Sequence, residues 1–210
     1  HLSIRRQRQM CIRDSVQTME FNMDMKKTGL VVALGLLFST AAQATVVNQA
    51  ISEAEVVAAQ KAWCDALVNI SQTHARSGQA AAKALAERVI DSAYAYQMGA
   101  VLFKPTLTTV PQTFRTTRAG ALAYFVGGDS QFPKDTGFAL KGWTKCQAKN
   151  AGVFITGHSA TSMGNVSITN ASGQVTTVDK TWKYVKDDKG QLRIAVHLSL
   201  IHISEPTRLL

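Results

Sequence analysis

Hydrophobic spacing along this chain changes once, near Gly99. Upstream of it the apolar residues Val56, Trp63, Leu67 and Ile70 recur with the period of a helix. Ser52-x-x-Glu55 opens that helix as a capping box. A second, alanine-rich helix follows Gly78, with Leu85, Val89, Ala93 and Tyr96 predicted on one face. Beyond Gly99, Val101-Leu102-Phe103 reads as a short strand stopped by Pro105. A third, shorter helix is capped by Thr116 or Thr117 and closed by Gly127-Gly128. From Phe138 onward the pattern predicts strands only, at 138–149, 152–157, 159–169, 174–186 and 191–197. Short turn signals separate them, among them Asn150-Ala151-Gly152 and Asp187-Asp188-Lys189-Gly190, so the strands should run as an antiparallel meander. Three helices followed by a meander predict an α+β domain with the helices on one face of the sheet. A sheet curved around a helix would make a cone with an internal pocket.

Both ends of the chain read differently from this domain. Met25-Lys26-Lys27, the apolar run Gly29 to Phe38, and Ala42-Gln43-Ala44 have the order of a secretory signal peptide. The run is too short to span a bilayer. The expectation is cleavage before Thr45, and a periplasmic or secreted product with no membrane attachment. Gln9 to Ser15 can be encoded by a DNA segment whose opposite strand encodes Leu198 to Ile203. Such an inverted repeat is expected of a library adapter, so residues 1–15 and 198–210 are set aside as adapter-derived. Residues 16–24 read as translated upstream DNA, which leaves 45–197 as the domain.

Composition narrows the function. Residues 45–197 carry 16 Lys and Arg against 10 Asp and Glu, scattered without a dense run. No nucleic-acid surface is predicted, and charge supports at most an attraction for small anions. Cys64 and Cys146 could pair in an oxidising compartment, but their spacing has no motif character and the question stays open. His74, His158 and His197 lack ligand spacing, so no metal site is predicted. A Gly-x-Ser-x-Gly elbow and a phosphate-cradling glycine loop are both absent.

What remains is a set of hydroxyls around the expected pocket. Thr106 follows Lys104-Pro105 at the end of the first strand, and Tyr124 lies on the third helix, off the face of Ala119, Leu122, Ala123 and Val126. On the last strand, Arg193, Ala195 and His197 share one side by the period of two, with position 199 next. Each has an ordinary structural reading too: a turn threonine, an edge-of-core tyrosine, a surface histidine.

At these residues a resemblance emerges. Val101-Leu102-Phe103-Lys104-Pro105-Thr106, Phe114-Arg115, Ala123-Tyr124-Phe125-Val126-Gly127-Gly128, Asp135-x-Gly137-Phe138-Ala139, Met163-Gly164-Asn165 and Leu192-Arg193-Ile194-x-x-His197 together resemble the iota-class carbonic anhydrases. The resemblance covers about 52–197. It implies the cone-shaped fold of nuclear-transport-factor-2-like domains (NTF2-like, SnoaL-like), usually homodimeric. It also implies reversible hydration of CO2 to bicarbonate with no cofactor and no obligatory metal. Members hold bicarbonate through threonine, tyrosine and serine hydroxyls, which correspond to Thr106, Tyr124 and Ser199. The family serine stands in a His-His-Ser-Ser motif, of which this chain has His197 and Ser199, with Leu198 and Leu200 at the other two places. Phe103 is expected to wall the pocket, and His197, at an ordinary pKa near 6.5, to carry the released proton. Arg115 is expected either to draw bicarbonate in or to form a structural ion pair.

Two other readings stay open. One is a non-catalytic periplasmic module for binding or oligomerisation. The other is a ketosteroid-isomerase-like or polyketide-cyclase-like enzyme, which would need a carboxylate such as Asp91 or Asp129 buried beside Tyr124.

Overall fold

The computed structural model describes residues 49–201. The expected signal peptide at 25–44 and the segments 1–15, 16–24 and 202–210 lie outside the described residues.

Ser52 caps the first helix, α1 (Glu53–Ala93), by accepting from the Glu55 backbone, while the Glu55 carboxylate accepts from the Ser52 backbone. The predicted stripe Val56, Trp63, Leu67 and Ile70 is buried. Gly78, at φ 77°, breaks the helical geometry, so the two predicted helices form one bent element. In its second arm the core face is Ala82, Ala86 and Ile90. The predicted face Leu85, Val89 and Ala93 is only half-buried and flanks it. Small alanines, rather than the larger side chains, sit closest to the core and let this arm pack tightly.

Strand β1 (Leu102–Lys104) leads to α2 (Arg118–Val126), capped by Thr117 and closed at Gly127. A single 3-10 turn occupies Phe138–Leu140, where strand was predicted. Four strands complete the sheet: β2 (Trp143–Thr156), β3 (Ser159–Asn170), β4 (Val175–Lys186) and β5 (Leu192–Leu200). Their order is β1-β5-β4-β3-β2, antiparallel throughout except that β1 runs parallel to β5. The two strands predicted at 138–149 and 152–157 are one. The Asn150-Ala151-Gly152 signal marks a register shift within β2 rather than a turn. Gly164 faces this shift so closely that a Cβ there would collide with the Lys149 carbonyl oxygen. Such bulges bend a strand and curve the sheet.

Another register shift falls between Lys183 and Tyr184, whose partners Val196 and Ile194 skip Ala195. The skipped residue resets the alternation of β5. Ile194 and His197 are therefore both buried on the inner face, contrary to the strict period of two that placed them on opposite sides. Strand β5 runs to Leu200, three residues past its predicted end, and buries Ser199 while Leu198 and Leu200 remain exposed. A disulfide joins Cys64 on α1 to Cys146 on β2, tying helix to sheet.

Candidate active site

Three elements bring hydroxyls together inside the cone. Thr106 just past β1 and Ser199 on β5 place their hydroxyl oxygens 2.5 Å apart. Parallel pairing explains the approach: Lys104 lies opposite Leu198, so the chain leaving β1 passes the end of β5. The Lys104 ammonium supports the crossing by donating to the Ser199 carbonyl at 3.4 Å. From α2, Tyr124 completes the group. It is not the edge-of-core tyrosine of the ordinary alternative; it is 5 % exposed, on a helix buried almost all round. Its hydroxyl faces the Thr106 side chain and the Thr106 and Leu107 backbone closely enough to feel them. Yet no hydrogen bond of acceptable geometry closes on it, and it stands as a buried polar atom without a partner. Burial raises the Tyr124 pKa above its ordinary value, so it remains a phenol and a donor at neutral pH.

Aromatic rings wall this group. Phe103 meets Tyr124 edge-on at 5.7 Å and stacks on His197 at 4.5 Å. Tyr124 also stacks on Phe138 at 5.4 Å. Thr106, Tyr124, Ser199, Phe103 and His197, all named from the sequence, thus lie beside one another.

His197 is not, however, a group that titrates near neutrality. It is buried, with Nδ1 2.9 Å from the Tyr94 hydroxyl and Nε2 2.8 Å from Lys180 Nζ. Burial, and then the charge of Lys180, push its pKa well below the ordinary histidine value. Arg115 is corrected as well. Its guanidinium pairs with both oxygens of the buried Asp135 carboxylate at 2.7–2.9 Å and donates to the Gln112 and Phe114 carbonyls. Phe132 covers its face at 4.6 Å. Every donor edge of the fork is occupied, so Arg115 has none left for bicarbonate.

Neither carboxylate required by the isomerase-like reading is in place. Asp91 pairs with Arg118 with its side chain 57 % exposed, and Asp129 accepts from the Gln131 backbone in an exposed turn. Asp135 is the carboxylate whose charge reaches Tyr124, and Arg115 neutralises it. Among the described residues, no three His, Cys, Asp or Glu side chains converge as a metal site. Sequence reasoning gave no site role to Tyr94 or Lys180, and placed Trp63 only in the helix's core stripe. Lys180 could have been flagged, since it falls at an inward position of β4 between Val178 and Trp182.

A cluster of buried hydroxyls, with no unpaired carboxylate beside it among the described residues, has the chemistry to hold a small neutral or anionic oxygen ligand by hydrogen bonds. The profile described as "Metal-independent carbonic anhydrase" matches residues 54–201, and this chain belongs to that family. A metal-independent carbonic anhydrase of Nostoc sp. (strain PCC 7120 / SAG 25.82 / UTEX 2576) is 65% identical over 154 residues, 73% of this chain and 75% of the relative. A crystal structure of a cyanobacterial iota-carbonic anhydrase complexed with bicarbonate superimposes with a TM-score of 0.75. It is 61% identical and covers 78% of this chain and 99% of that one.

Proposed function

We propose that this chain catalyses the reversible hydration of CO2 to bicarbonate in the pocket of Thr106, Tyr124 and Ser199. One observation carries the reading: the Tyr124 hydroxyl is buried, unpartnered among the described residues, and close to Thr106, whose own hydroxyl is bonded to that of Ser199. Leaving such a donor unsatisfied costs roughly 1–3 kcal/mol, which a bound oxygen atom would recover. Its preservation as a donor favours a ligand that accepts.

The chemistry follows from the lining. CO2 is uncharged, and the rings of Phe103 and Phe138 offer it an apolar wall beside the hydroxyls. As a water oxygen bonds to its carbon, charge grows on the CO2 oxygens. Tyr124 donates to that charge, and one proton of the Thr106–Ser199 pair donates with it. Fixed donors in a water-poor site stabilise developing charge more than bulk water does. The other hydroxyl lone pairs orient the attacking water, which holds the reactants in attack geometry.

We extend this reading to the whole molecule. Export to the periplasm or outside the cell is supported by the 25–44 pattern and by the Cys64–Cys146 bond, which suits an oxidising compartment. A homodimer is the proposed assembly, on the resemblance stated above. A crystal of the chain soaked in bicarbonate tests the site directly. Bicarbonate within hydrogen-bond distance of Tyr124, Thr106 and Ser199 supports the assignment. Density elsewhere, with these hydroxyls unchanged, would return the pocket to the non-catalytic reading.

A further inference from the structure

Beside the hydroxyl pocket lies a buried chain of four polar side chains with its own logic. Trp63 Nε1 donates to the Tyr94 hydroxyl at 2.9 Å, Tyr94 meets His197 Nδ1 at 2.9 Å, and His197 Nε2 meets Lys180 Nζ at 2.8 Å. All four residues are at most 4 % exposed. An indole is a donor only, so the Tyr94 proton has one acceptor among the described residues, His197 Nδ1. His197 Nδ1 is then bare, and the neutral ring carries its proton on Nε2. That proton points at Lys180 Nζ, which must accept it and must therefore be an uncharged amine. The other arrangements each cost the buried chain a hydrogen bond. An ammonium at Lys180, or an imidazolium at His197, puts a proton on Nδ1 or needs one there, and leaves the buried Tyr94 hydroxyl with nothing to donate to.

The charge balance around Lys180 agrees. Burial draws its pKa from the ordinary lysine range down to about 7, with no carboxylate to offset it. The Trp63 and Trp182 rings, 4.6 and 5.9 Å from Nζ, are the groups that favour the cation. The titratable groups facing Lys180 are His197 from β5 and, behind it, Tyr94 from the end of α1.

Position links this amine to the pocket. Lys180 is the register partner of Ser199 across β4 and β5, and both are buried on the inner face. Directly opposed side chains on neighbouring strands are in reach of one another. Resting on the carbonic anhydrase reading, we propose that neutral Lys180, held in that state by His197 and Tyr94, is the proton acceptor for the hydroxyl pocket. As the water oxygen bonds to the CO2 carbon, one water O–H bond breaks, the Nζ lone pair gives up the hydrogen bond it accepts from His197 Nε2–H, and the proton comes to rest on Nζ. Bicarbonate leaves, and the ammonium returns the proton to solvent. In the dehydration direction the same ammonium supplies the proton.

Two measurements on the full chain test this. Nitrogen-15 spectra of the His197 ring and of Lys180 Nζ at pH 8 should show Nε2 protonated, Nδ1 bare and the amine neutral, with a Lys180 midpoint near neutrality. A charged Lys180 at pH 8, or a proton on Nδ1, overturns the proposal without any variant. The second measurement compares CO2 hydration against pH for the wild type, Lys180→Met and Lys180→Arg. Both variants should lose about 10²–10⁴-fold in kcat, together with the wild-type rise near neutrality, while bicarbonate affinity holds. Added imidazole buffer should restore part of the Lys180→Met rate. A variant that keeps both rate and pH profile sinks the role of Lys180 and leaves the pocket assignment standing. A wild type with correct tautomers but no hydration sinks the pocket assignment instead, and the acceptor role with it.

Discussion

The hydroxyl oxygens of Thr106 and Ser199 sit 2.5 Å apart across the β1–β5 crossing, and neither residue is more than 7 % exposed. One proton lies between them, which leaves one proton of the pair for a third atom. The two residues therefore act as one unit toward any ligand.

That coupling predicts non-additive kinetics. Thr106→Ala and Ser199→Ala should each reduce kcat/KM by about 10²–10³-fold, the loss typical of one fixed donor to developing charge. The double variant should be little worse than either single one, because each substitution already breaks the unit. Steady-state hydration rates of the three variants decide this. Losses that multiply would show two independent donors.

Tyr124→Phe should separate activity from stability. Its hydroxyl has no hydrogen-bond partner among the described residues. Removing it should leave the unfolding free energy unchanged or raise it by up to about 1 kcal/mol, while kcat/KM falls at least about tenfold. Urea unfolding and hydration assays on one preparation check both. A marked loss of stability would mean that the hydroxyl serves the fold.

Arg115 should behave as a structural residue. Arg115→Ala leaves the Asp135 carboxylate buried and unpaired, a change that typically costs about 3–5 kcal/mol. Denaturant midpoints should drop accordingly. A variant that keeps its stability and shows only a raised KM would restore the anion-attracting role.

Stability should climb as pH rises through neutrality. Lys180 has a folded pKa of about 7, below that of an unfolded lysine, and His197 is depressed too. Between the folded and unfolded values the unfolded chain binds more protons, so unfolding free energy increases with pH. For Lys180 that window runs from about 7 to about 10.4. The penalty of charging it is fully present below the window. Lys180→Met should flatten the profile there, as read from unfolding curves at several pH values. An unchanged slope would place the proton uptake elsewhere.

Much of this was legible in the sequence, and the failures have physical causes. Local signals held: the Ser52–Glu55 capping box, the Thr117 cap and the Gly127 stop are contacts within a few residues. Non-local geometry was harder. The skipped Ala195 turned His197 inward, and no pattern of alternation within β5 shows a bulge set by its pairing with β4. The shift at Asn150 and Gly152 was mistaken for a turn because Gly164, which makes room for it, is on another strand. Thr106 and Tyr124 emerged from the family motifs rather than from spacing. Their meeting with Ser199 depends on the parallel β1–β5 pair, which the meander did not predict. Lys180 escaped notice because a lysine in a strand ordinarily faces water.

Stopped-flow CO2 hydration after exhaustive chelation tests the central claim most directly, with Thr106→Ala and Tyr124→Phe measured alongside. The account predicts that wild-type hydration survives chelation and falls sharply in both variants. Activity lost on chelation, or equal in all three chains, would contradict it.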